Sequence, residues 1–197
     1  FVANFTQQDT ADDNNTGVGG ITLQGGTLAG SAAVIDMTNG NGDSNQTITA
    51  YGSNTGAAGG FGVQLTGGTG AGSEALIYSG VANAANTQLV EAKNDGISLN
   101  GGAASSGTFG NFPSLGAGIV TLSKQTVETD VAGGITLQGG SVAGSAAVID
   151  QDNATATQTI NAHGQNVNNL GLQLTGGTAH NGDEAVIYSG GLQNVTT

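Results

Sequence analysis

An all-β solenoid is predicted by three features of the sequence. One tripartite phrase recurs five times, its segments alternate apolar and polar residues with period two, and glycine interrupts every stretch that could become a helix. The expected architecture is a parallel β-helix of about five coils, with three short strands per coil, Gly-rich corners and little or no helix.

The first segment of each unit reads apolar-x-Leu-x-Gly-Gly. It appears as ITLQGG at 21–26, VQLTGG at 63–68, ISLNGG at 97–102, ITLQGG at 135–140 and LQLTGG at 172–177. In ITLQ, Ile and Leu face one way and Thr and Gln the other, as on a half-buried strand. The second segment is AAVID at 32–36, EALIY at 74–78, AAVID at 146–150 and EAVIY at 184–188, with GIVTL at 118–122 in the irregular third unit. The third is QTITA at 46–50, QLVEA at 88–92, QTVET at 125–129 and QTINA at 158–162, with QNVTT at 193–197 a weaker fifth case. A longer duplication contains these phrases, since 133–149 nearly repeats 19–35 and 172–190 echoes 63–80.

Stacked coils place like residues over one another at a spacing of about 4.8 Å. Leu23, Leu65, Leu99, Leu137 and Leu174 should form one interior ladder, and Ile35, Ile77, Ile149 and Ile187 another. The Gly-Gly pairs should form a corner, where glycine permits positive φ. A β-sandwich is the main rival, but its antiparallel pairing does not require one phrase to recur. The expected organisation is an amino-terminal strand and polar linker over 1–20, then solenoid repeats over 21–197, with coils starting near 21, 63, 97, 135 and 172.

Composition narrows the function. The 197 residues include 37 Gly, 1 Pro and no Cys, and only 8% are charged. With 14 acidic residues against Lys93 and Lys124, the net charge is -12. Such a chain cannot build the basic face a nucleic-acid partner requires, and an anionic membrane surface repels it. No apolar stretch approaches the roughly 18 residues of a membrane-spanning helix. The absence of Cys excludes disulfides and thiolate metal sites. The chain begins at Phe1, without Met or a signal peptide, and is expected to be processed or cut from a longer one.

Catalytic chemistry is not expected. Asp36 and Asp150 occupy equivalent positions, as do Glu74 and Glu184, but three coils separate each pair by about 14 Å, too far for a glycosidase pair. Lyase chemistry on acidic sugars needs cationic help, and there is no Arg. His163 and His180 are lone loop histidines without partner ligands. No cofactor is expected. Calcium is the one plausible ion, through the oxygen-rich loops 9–15, 36–43 and 150–153, although none matches a known calcium loop. Asn45 and Asn153 sit in Asn-x-Thr acceptor sequences, read as loop positions suited to glycosylation.

The phrase ITLQGG…AGSAAVID…QTI, with its Gly/Asn/Ser-rich loops, resembles the right-handed β-helix repeats of filamentous-haemagglutinin-like bacterial adhesins. The resemblance covers 21–197 and is one of repeat style. It implies a β-helix rod, export to the cell surface or medium, and a role in adhesion or fibre formation.

The expected role is therefore a structural subunit of an extracellular filament or surface rod, with itself as partner through end-to-end stacking. The alternating segment FVANF at 1–5 reads as a stray strand, and GLQNVTT at the carboxyl end as stopping where a third strand would begin. Phe1, Val2, Phe5, Val195 and Thr197 are the expected assembly residues. The alternative is an adhesin module binding glycans through its loops, with Tyr51, Tyr78 and Tyr188 as stacking candidates.

Overall fold

Each period-two segment becomes a strand because extended backbone can turn its Ile, Leu and Val inward and the alternate residues, such as Thr22 and Gln24 of the first, outward. The computed structural model describes residues 6–11, 19–38, 44–53, 60–103, 115–130, 133–179 and 182–197. Among the described residues sixteen strands form three sheets, and every pairing between them is parallel.

The first sheet holds β2 (Ile21–Gln24), β5 (Phe61–Thr66), β8 (Gly96–Asn100), β11 (Ile135–Gln138) and β14 (Leu172–Thr175). The second holds β3 (Ala33–Met37), β6 (Ala75–Ser79), β9 (Leu115–Thr121), β12 (Ala146–Gln151) and β15 (Ala185–Ser189). The third holds β1 (Thr6–Ala11), β4 (Asn45–Ala50), β7 (Thr87–Ala92), β10 (Lys124–Thr129), β13 (Thr157–Ala162) and β16 (Leu192–Thr196). Five coils are thus complete, and β1 adds one layer to the third sheet ahead of them. Among the described residues there is no helix.

The expected ladders form. Leu23, Leu65, Leu99, Leu137 and Leu174 stand in one register column. Ile35, Ile77, Ile119, Ile149 and Ile187 stand in another, with Ile119 filling the irregular third unit. Ile48, Val90, Val127, Ile160 and Val195 complete the third wall. Except for Leu174 and Val195 in the last coil, these residues belong to or pack against one core, whose middle members are fully buried. Burying an aliphatic side chain of this size contributes about 1.5–3 kcal/mol.

The strand expected at FVANF lies outside the described residues, and β1 at Thr6–Ala11 follows it directly. Two expectations need correction. The carboxyl end does form its third strand, β16. The Gly-Gly corner is explained by close approach of neighbouring coils rather than by positive φ, which within the pairs occurs only at Gly102 (79°). Positive φ belongs to the following turn, at Gly30 (75°), Gly72 (68°), Gly144 (80°) and Gly182 (82°). A Cβ on Gly25 would lie 1.9 Å from Ser73 O, one on Gly101 1.7 Å from Ser145 O, and one on Gly139 1.8 Å from Asp183 O. In each case the carbonyl belongs to the turn of the next coil occupying this corner.

The second sheet is apolar on both faces. Leu76, Val120, Ala146 and Val148 face away from the main core and form a second buried cluster, with Tyr78 and Leu122 packed against it. Strands buried on both sides lose clean alternation, which is how AVID and ALIY differ from ITLQ.

Candidate functional site

The two ends of the solenoid differ. At the amino-terminal end Leu23 is 7% exposed and Ile48 0%. At the carboxyl-terminal end the same columns finish in Leu174 at 43% and Val195 at 47%. β14, β15 and β16 are the edge strands of all three sheets, so the last coil presents open backbone and open core together.

A buried polar column runs to the same face. Gln46, Gln88, Gln125, Gln158 and Gln193 share one register position in the third sheet, where Gln7 precedes them. Gln88 Nε2 donates to Gln46 Oε1 (2.8 Å), Gln125 Nε2 to Gln88 Oε1 (2.9 Å), Gln158 Nε2 to Gln125 Oε1 (2.8 Å) and Gln193 Nε2 to Gln158 Oε1 (2.6 Å). The same amide nitrogens also donate to second-strand carbonyls of the following coil. Gln46 reaches Tyr78 O (3.0 Å), Gln88 reaches Val120 O (3.1 Å), Gln125 reaches Asp150 O (3.1 Å) and Gln158 reaches Tyr188 O (2.8 Å). Each glutamine so engaged ties its coil to the one before and the one after. Gln193 ends the column at the exposed face, its Oε1 in the position that earlier accepts from the next glutamine. Composition and alternation alone gave no hint of this column, but Gln recurring at the start of every third segment was its signal.

Gly176 carries the same message. Its predecessors Gly25, Gly67, Gly101 and Gly139 are pressed against the next coil, and each donates its N–H to a carbonyl of that coil at 2.8–2.9 Å. A Cβ on Gly176 would meet nothing within 4 Å.

The remaining candidates are scattered. Of the assembly residues, Val195 sits in β16 on the open face and Thr197 is exposed just beyond it. Phe1, Val2 and Phe5 lie outside the described residues. Tyr78 and Tyr188 occupy one register column three coils apart, with Val120 and Asp150 between them, so they form no joint platform. Tyr78 is part of the second cluster, where burial and then the Asp36 carboxylate raise its hydroxyl pKa. Asn45 opens strand β4 rather than a loop, its Oδ1 accepting from Thr87 N (2.9 Å) and Oγ1 (2.8 Å). Asn153 lies in the turn before β13, its Nδ2 donating to Leu122 O (2.9 Å).

No group of three or more His, Asp or Glu that could hold a metal exists among the described residues. Most of the 9–15 and 36–43 loops, and His180, fall outside them. Lys93 contacts Glu91 and lies 3.8 Å from Asp130. Asp150 is the perturbed acid. It is 7% exposed, its Oδ1 has no hydrogen-bond partner, and burial, then the Asp152 carboxylate, push its pKa up to about 7.

Comparison with protein-family models, with curated proteins and with solved structures finds no match. The resemblance to filamentous-haemagglutinin-like repeats is therefore supported at the level of fold, an all-β solenoid of parallel sheets, and at no finer level.

Proposed function

We propose that the chain is a non-enzymatic structural module of an extracellular rod or filament, extended when another coil stacks on its carboxyl-terminal face. The occupant of that face is a second copy of the chain. The observation that carries this reading is Gly176, where a Cβ would meet nothing within 4 Å although its four predecessors are each pressed against the next coil. The open ends of the leucine, valine and glutamine columns support it.

The edges to be covered are β14, β15 and β16, one in each sheet, and the second copy stacks on them in parallel as each coil stacks on the one before. An interface of this kind is heterologous and does not close, so it generates a filament.

Gly176→Val tests the reading. The side chain has open space in the isolated chain, so the fold and its melting temperature should be unchanged, while sedimentation should show lost polymer. Polymer formed as readily by Gly176→Val as by the native chain would refute the stacking face. A native chain that stays monomeric at every concentration would refute assembly through this face as well.

A further inference from the structure

The connections from the third strand of one coil to the first strand of the next differ in length. They run 51–60 into β5, 93–95 into β8, 130–134 into β11 and 163–171 into β14. The 163–171 connection is longer than the one into β8, and the outer side of the first sheet is indented beside it.

The indentation is a cleft of about 420 Å³. Its floor is glycine backbone at Gly96, Gly133 and Gly134. A Cβ on Gly134 would meet Leu170 O and Gly171 O at 2.5 Å, so the 163–171 connection folds down onto this floor. Phe61 stands at the other side, with Cδ1 3.4 Å from where a Cβ on Gly96 would sit.

The polar wall is fixed in advance. Asn166 Oδ1 accepts from the N–H of Asn168 (2.9 Å) and of Leu170 (3.1 Å). Its Nδ2 donates to Thr136 Oγ1 (3.2 Å) and Gln173 Oε1 (2.8 Å), and Asn168 Nδ2 also donates to Gln173 Oε1 (2.9 Å). Asp95 also lines the cleft, and burial raises its carboxyl pKa against the opposing effect of the Ser53 hydroxyl.

We propose that this cleft binds a neutral carbohydrate, one or two rings of an uncharged glycan. Amides, a threonine hydroxyl and a carboxylate supply donors and acceptors side by side, which suits sugar hydroxyls that both donate and accept. Phe61 and Val167 supply apolar surface for the C–H face of a ring. No Lys or Arg lines the cleft, and the net charge of -12 works against an anionic ligand. The site is on the outer side of the first sheet and reaches the last coil through Gln173 and Thr175, and its test reads sugar binding rather than polymer.

The test is amide chemical-shift mapping of the full chain, titrated to millimolar concentration with maltose, cellobiose, lactose and N,N′-diacetylchitobiose. Shifts should concentrate at 95–96, 133–136 and 165–175 for at least one of the four. Asp95→Asn and Gln173→Ala should each weaken binding at least tenfold, while Tyr188→Ala should leave it unchanged. No shift with any of the four sugars, shifts elsewhere on the solenoid, or binding that survives both cleft substitutions overturns the proposal. Loss of binding in Tyr188→Ala does so as well, since it places recognition on the exposed tyrosine.

Discussion

Replacing Gln125 by Leu removes the middle rung of the amide column with little change in volume. Gln125 Nε2 donates to Gln88 Oε1 and Asp150 O, and its Oε1 accepts from Gln158 Nε2. All three glutamines are essentially fully buried. The substitution therefore leaves Gln88 Oε1 without its Gln125 donor and removes the acceptor of one Gln158 N–H, beyond the reach of bulk water. Each buried polar group so stranded costs about 1–3 kcal/mol, so the loss should total about 3–5 kcal/mol. Gln193→Leu, at the exposed end of the same column, should cost under about 1 kcal/mol in the unassembled chain. Urea denaturation of the two variants, followed by far-ultraviolet circular dichroism, measures both. Gln88→Leu combined with Gln125→Leu should cost less than the sum of the single changes, because the second deletion removes an acceptor already stranded by the first. A loss below about 1 kcal/mol for Gln125→Leu would refute the idea that the column holds the coils together.

Gly139→Ala, whose Cβ would lie 1.8 Å from Asp183 O, should destabilise strongly, while Gly176→Ala should be neutral in the monomer; thermal melts of the pair check both. Asp150→Asn should stabilise the fold at pH 8. A carboxyl with pKa near 7 when folded and 3.8 when unfolded keeps its proton longer in the native state, so stability falls as pH rises between those values. The penalty relieved should reach about 4 kcal/mol above pH 7 and vanish below about pH 4, read from melts across that range.

The coil number and ladders were legible because stacking forces the same choice at the same place five times. Leu23 through Leu174 repeat for that reason, and a single strand taken alone would not have revealed it. The third unit was harder to read, since β9 replaces AAVID by LGAGIVT and its register shifts at Ala146/Ala147. β1 was hidden because TQQDTA is polar and puts Asp9 where other coils have Ile or Val; pairing with β4, rather than apolar alternation, identifies it. The burial of Asp150 was also hidden, since its place in AAVID suggested solvent. It follows from an outer face of the second sheet that is covered as well. The cleft was foreshadowed by the unequal spacings of 42, 34, 38 and 37 residues between first segments, but residue identities did not show which insertions would flank the same wall.

The stacking face is tested most directly by electron microscopy of the purified native chain at neutral pH without ligand. Five to six layers at about 4.8 Å give a rise of roughly 24–29 Å per subunit. Thin unbranched filaments with an axial repeat in that range are the expected result. Isolated short rods at high protein concentration would contradict assembly through the carboxyl-terminal coil.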